Sequence, residues 1–162
     1  MTRYIREDVH IHAPADEIFE RLATFEGTPP TWLPPSFRDA RIEDETLAFR
    51  LALPLLDRAA RLQVAERVSP TALSLRDQHS NGAHPAVEAF DWALHQESAN
   101  NVHVTAEFAY EPAGGLLGPF LELAFHAPLR RQALRDALWR LKLLAEGQVE
   151  AFTTEPAPRT NP

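Results

Sequence analysis

From Phe37 to Glu111 the chain is a series of short runs in which apolar and polar residues alternate, and after Pro128 it becomes one long amphipathic stretch. Alternation with a period of two is the mark of a strand with one buried face. Leu47, Phe49, Leu51 and Leu53 alternate with Ala48, Arg50 and Ala52. Phe90, Trp92 and Leu94 alternate with Asp91, Ala93 and His95, and Val104, Ala106, Phe108 and Tyr110 with Thr105, Glu107 and Ala109. The pattern predicts strands over 37–44, 46–54, 59–68, 72–78, 86–97 and 102–111, with turns at Asp44-Glu45, Asp57-Arg58, Ser69-Pro70, Ser80-Asn81-Gly82 and Asn100-Asn101. Such an antiparallel sheet has one greasy face, and that face needs a cover. The stretch LRRQALRDALWRLKLLAEG is long enough, with Leu134, Ala137, Leu138, Leu141, Leu144 and Ala145 on one side.

The N-terminal part adds one more strand. Val9 and Ile11 alternate with His10 and His12. Pro14 then suits the first turn of a helix, Asp16 and Glu17 complement its dipole, Ile18, Phe19 and Leu22 form its apolar face, and Gly27 is a plausible stop. TPPTWLPP is too rich in proline for a long helix and reads as a short turn pinning Trp32 against the rest of the fold. Further on, Leu116 to Phe125 is almost wholly apolar, with Glu122 the exception, and Pro128 should kink the following helix or separate it from another. Residues 1–152 are read as one domain, and 153–162, TTEPAPRTNP, as a disordered tail. The fold class is α+β: seven antiparallel strands, a short helical insert after the first, and a long C-terminal helix.

Composition removes several functions. The chain has 162 residues, a formal net charge of −7 and no cysteine. The charge disfavours general binding to nucleic acid, and the missing thiols exclude a disulfide framework and thiol chemistry. No apolar run follows Met1 and none approaches a membrane span, so a cytoplasmic protein without signal peptide or transmembrane segment is expected. There is no G-x-S-x-G, P-loop or dinucleotide fingerprint. The seven histidines include His10 and His12 on one strand face and His79 and His84 about a turn, but none has the helical spacing of a zinc site. Surface histidines are expected, with no metal and no cofactor.

Three stretches together resemble a known family. They are VHIHAPADEIFERLATFEGTPPTWLPP, the hairpin FDWALHQESANNVHVTAEFAYEP, and GGLLGPF followed by LWRLKLLAEG. In this order they are similar to the START/Bet v 1-like superfamily, also called SRPBCC, and most to its bacterial polyketide cyclase/dehydrase and lipid-transport branch. The resemblance covers most of residues 5–148 and implies a helix-grip fold, a curved sheet wrapped around the C-terminal helix with a cavity between them. It implies binding of a lipid, quinone, polyketide or other apolar molecule, with catalysis in a minority of members and no universal catalytic motif to carry over.

The expected lining residues face inward on the strands or opposite them on the helix: Phe49, Leu51, Leu62, Val64, Leu75, Phe90, Trp92, Val104, Phe108, Leu121, Phe125 and Leu129, with Trp32 and Tyr110 as aromatic walls with a polar tip. Singly, each is more simply a core residue. Glu66 and Asp77 fall in phase with inward residues and are the places to look for a buried acid or base, against the blander reading of solvated strand ends. Arg50 and His95 fall on the wet face. Leu55 and Leu56 at a hairpin tip are either folded under the sheet end or a gate over the cavity. Three functions compete. The first is a binder or carrier of a small apolar molecule. The second is a cyclase or dehydratase acting on an aromatic or polyketide substrate. The third is an interaction module using the basic stripe of Arg130, Arg131, Arg135, Arg140 and Lys142. Either a monomer or a homodimer fits.

Overall fold

In a computed structural model of the chain, which describes residues 1–78 and 84–147, seven strands form one antiparallel sheet. They are β1 (Arg3–Ile11), β2 (Phe37–Glu43), β3 (Thr46–Leu53), β4 (Leu56–Val68), β5 (Ala72–Asp77), β6 (Ala89–Ser98) and β7 (Asn101–Tyr110). Their order across the sheet is β1-β7-β6-β5-β4-β3-β2, so the first strand joins the last and the rest follow as hairpins. The alternation predicted this sheet, except at one hairpin: Asp57 and Arg58, expected in the turn, pair with Ala52 and Leu51 as part of β4, and the turn falls at Pro54-Leu55, where Leu55 takes a positive φ. His79, the Ser80-Asn81-Gly82 turn and the tail at 153–162 lie outside the described residues.

The inward face carries Leu47, Phe49, Leu51, Leu62, Leu75, Phe90, Trp92, Val104 and Phe108, all buried. Aromatic rings fill its centre. Phe37 stacks on Phe49 with centroids 4.3 Å apart, and Phe90 meets Phe108 edge-on at 4.5 Å. Such pairs add about 0.5–1.5 kcal/mol each to the area they bury.

Helix α1 (Ala15–Ala23) buries Ile18, Phe19 and Leu22 and carries Asp16 and Glu17 in its first turn. It ends before Gly27, which instead supplies a positive φ of 69° in the loop beyond. Trp32 is fully buried against Trp92, with centroids 4.9 Å apart, and its Nε1–H donates to the Leu22 carbonyl at 3.2 Å. That bond satisfies one of the carbonyls a helix end leaves open. The proline-rich insert therefore pins the tryptophan as expected.

The C-terminal helical segment begins as α2 (Gly118–Leu121), passes through a π-helical turn (Glu122–His126) and continues as α3 (Ala127–Ala145). Pro128 explains the interruption. It has no N–H to offer the carbonyl four residues earlier, so the hydrogen-bond ladder shifts by one residue just before it. Helix α3 buries Ala133, Leu134, Ala137, Leu138, Leu141 and Leu144, and packs against β1 and β7. No helix among the described residues is long and apolar enough to cross a membrane.

Candidate functional site

The sheet and the helical segment enclose a polar cluster. Glu122, His126 and Arg130 recur every fourth residue and so share one face of the segment. That face points inward, and all three are 0% exposed. Tyr110, the last residue of β7, meets them from the sheet: its hydroxyl donates to Glu122 Oε1 at 2.6 Å. Arg130 Nη1 donates to Glu122 Oε2 at 3.3 Å, and the guanidinium carbon lies 3.8 Å from the centre of the Tyr110 ring. His126 Nε2 donates to the Pro54 carbonyl at 2.8 Å, which ties the tip of the β3–β4 hairpin to the π-helical turn. The tautomer follows from that carbonyl, which can only accept.

This cluster is incompletely satisfied. Arg130 Nε and Nη2 and His126 Nδ1 are buried and make no hydrogen bond, and neither does the indole Nε1–H of Trp92 deeper in the core. Burial draws the Arg130 pKa down, while the neighbouring Glu122 charge acts the other way. Burial pushes the Tyr110 phenol up to about 12, reinforced by its hydrogen bond to Glu122. Tyr110 therefore keeps its proton at neutral pH and acts as a donor. A buried cation with two unused donors can hold an acceptor oxygen in an otherwise apolar space.

The sequence pattern singles out neither Glu122 nor His126 as a site residue and sets Arg130 on a basic stripe of the exposed helix face; in the structure Arg130 is instead fully buried, the most deeply buried charge of that stripe. Its neighbours are engaged within the fold. Arg131 and Arg135 both pair with Glu7, at 2.8 and 3.3 Å, Arg140 donates to the Leu33 carbonyl, and Lys142 donates to the His10 carbonyl and to Glu146. The signal was present in ELAFHAPLR, where three polar residues at a spacing of four interrupt an apolar run.

The same geometry corrects other expectations. With Glu122, His126 and Arg130 facing in, Phe125 and Leu129 turn out, 45% and 43% exposed, and Leu121 is half-buried at the margin. Glu66 is exposed, because a bulge between Val64 and Glu66 sets it opposite Ser74 rather than in phase with Val64 and Leu75. Asp77 is half-buried at the end of β5, opposite Leu62. Leu55 is 86% exposed at φ 60°, whereas Leu56 is partly buried against the core. Trp32, Phe49, Leu51, Leu62, Leu75, Phe90, Trp92, Val104, Phe108 and Tyr110 lie buried in the core, and Val64 packs against it half-buried. Arg50 is on the outer face, paired with Asp57, and His95 is exposed there too.

A long C-terminal helix held against a seven-stranded antiparallel sheet, with a short helix after the first strand, is the helix-grip fold. The chain belongs to the polyketide cyclase/dehydrase and lipid transport family, whose pattern it matches over residues 2–146. No curated protein matches it. Among solved structures it is similar to the KanY protein, at 16% identity and a TM-score of 0.71, covering 91% of this chain and 99% of that one. It is similar to a START superfamily protein from Mycobacterium smegmatis, at 16% identity and a TM-score of 0.54, covering 93% and 99%. It is also similar to the Zhui aromatase/cyclase from Streptomyces sp. R1128, at 17% identity and a TM-score of 0.58, covering 88% and 95%. At these identities the likeness is one of fold.

Proposed function

We propose that this protein binds or carries a small apolar molecule (a lipid, quinone or polyketide-like compound) between the sheet and the C-terminal helix, and that Arg130 holds an oxygen of that molecule. The observation that carries the reading is the fully buried Arg130 guanidinium with Nε and Nη2 unpartnered. A donor left unsatisfied in the interior costs about 1–3 kcal/mol, more when charged, and a bound acceptor oxygen removes that cost. Phe49, Phe90, Trp92 and Phe108 are the proposed apolar walls, with Trp32 behind them. Because these rings now touch one another, the molecule enters by parting them. The β3–β4 tip at Leu55 and Leu56, clipped to the helical segment through Pro54 and His126, is the proposed gate. Replacing both leucines by Ala should change the rates of ligand entry and exit more than stability. A cytoplasmic setting belongs to the same reading.

The second reading is a cyclase or dehydratase. It is favoured by one feature, the Tyr110 hydroxyl held at 2.6 Å by Glu122 beside a buried His126 whose Nδ1 makes no hydrogen bond and lies 3.7 Å from Glu122 Oε2. A proton donor and an acceptor beside a bound carbonyl compound are what enolisation and dehydration need. An aromatase/cyclase stands among the structures of similar fold.

Native mass spectrometry of the purified protein, followed by denaturing extraction, tests the binding reading. A co-purifying apolar compound bearing a carboxylate, ketone or phenol is expected. A bare protein that also gives no thermal shift with fatty acids, quinones or aromatic polyketides would sink it.

A further inference from the structure

The outer face of the sheet, opposite the helix, carries a row of histidines that the sequence alone could not assemble. The register pairs His10 of β1 with His103 of β7, and His103 with His95 of β6. All three alternate with inward residues, so they stand side by side on three adjacent strands. The rings of His10 and His103 are stacked, with centroids 4.6 Å apart and planes 14° from parallel. Glu97 reaches over from the end of β6, its Oε2 3.3 Å from His10 Nε2. One ligand atom each from His10, Glu97 and His103 lies within 4.8 Å of the others.

The surroundings favour a cation. Asp8 Oδ2 lies 2.6 Å from His103 Nε2, and Asn101 Nδ2 donates to Glu97 Oε2 at 3.2 Å. A histidine that gives one ring N–H to a carboxylate is oriented, made more basic, and left with its lone pair on the other nitrogen. That is the usual arrangement around a histidine that ligates a metal. Lys142 donates to the His10 carbonyl, on the backbone rather than toward the rings, and is paired with Glu146. Two imidazoles and a carboxylate suit a divalent transition ion of the zinc type rather than magnesium or calcium.

We propose that His10, His103 and Glu97 bind one divalent transition cation of the zinc class on the outer face of the sheet, with Asp8 orienting His103 and His95 flanking the site. Ligand atoms that share a zinc ion at about 2 Å sit roughly 3.3 Å from one another, so the exposed His10 and Glu97 side chains rotate to close the gap, His10 turning out of its stack on the half-buried His103 so that both rings aim a lone pair at the ion. The helical spacing that rules out a metal along one helix does not apply here, because the ligands come from neighbouring strands. A bound ion would clamp the edge strand β1 to β7 and raise stability by mass action.

The test is calorimetric titration of the untagged protein with zinc chloride at neutral pH, with circular dichroism confirming that each variant is folded. Saturable binding of one ion per chain is expected. His10→Gln and His103→Gln should each weaken it at least tenfold, Asp8→Asn should weaken it less, and His84→Gln should leave it unchanged. No saturation below millimolar zinc would overturn the proposal. So would binding that is indifferent to His10→Gln and His103→Gln.

Discussion

Replacing Arg130 by Met should be among the most damaging single changes in the chain. The guanidinium is fully buried, paired with Glu122 Oε2 at 3.3 Å and seated on the Tyr110 ring. Methionine fills much of the same space, so the cost is electrostatic rather than a cavity. It leaves the Glu122 carboxylate buried with the Tyr110 hydroxyl as its remaining close donor. Removing one partner of a buried pair costs about 3–5 kcal/mol, a large share of the roughly 5–15 kcal/mol that holds a domain together. For a chain of this size the melting temperature should fall by about 6–20 °C. The double variant Glu122→Met/Arg130→Met should recover most of the loss, because replacing both charges by apolar groups removes the stranded one. Urea denaturation followed by tryptophan fluorescence measures both. A single-variant loss under about 1 kcal/mol, or a double variant as unstable as the sum of the two singles, would refute the reasoning.

Three further outcomes follow from the same structure. Tyr110 is protonated in the fold up to about pH 12, against about 10 for a free phenol. Its contribution to stability is therefore fully present below pH 10 and lost as pH rises from about 10 to about 12. The phenolate absorbance missing in Tyr110→Phe should titrate near pH 12, and the variant's urea midpoint should fall less across that range. Trp32→Ala removes the contacts with Phe90 and Trp92 and strands the Leu22 carbonyl, and should cost about 3–5 kcal/mol in chemical denaturation. Leu55→Gly, at an exposed position with φ 60°, should raise stability by about 0.5–1 kcal/mol, read as a higher urea midpoint.

The sheet was legible because burial on one face writes a period of two directly into Leu47–Leu53, Phe90–Leu94 and Val104–Tyr110. The cover was legible from the apolar side of α3. The polar cluster was not, because helix faces are assigned by sorting apolar residues inward. Here the rule inverts around the π-helical turn: Glu122, His126 and Arg130 go in, and Phe120, Leu123, Phe125 and Leu129 stay out. The outward turn of Glu66 is invisible in the sequence because a bulge leaves no mark in an alternating pattern. His95 and His103 face each other across one hairpin, but bringing His10 beside them depends on the register of β1 on β7, strands far apart in sequence, and a single chain carries no signal of that.

The central claim is that the interior admits an apolar molecule whose oxygen is held by Arg130. The most direct measurement is a ¹⁵N-edited NMR titration with 1-naphthoate and, separately, 1-methylnaphthalene, reading the three tryptophan indole N–H signals. Trp32 and Trp92 are buried, and Trp139 is 55% exposed on the outside and serves as the control. Naphthoate should move the Trp92 and Trp32 signals saturably and leave Trp139 in place, more tightly than methylnaphthalene and with that preference lost in Arg130→Met. Shifts confined to Trp139, or equal binding of the two compounds with and without Arg130, would contradict it.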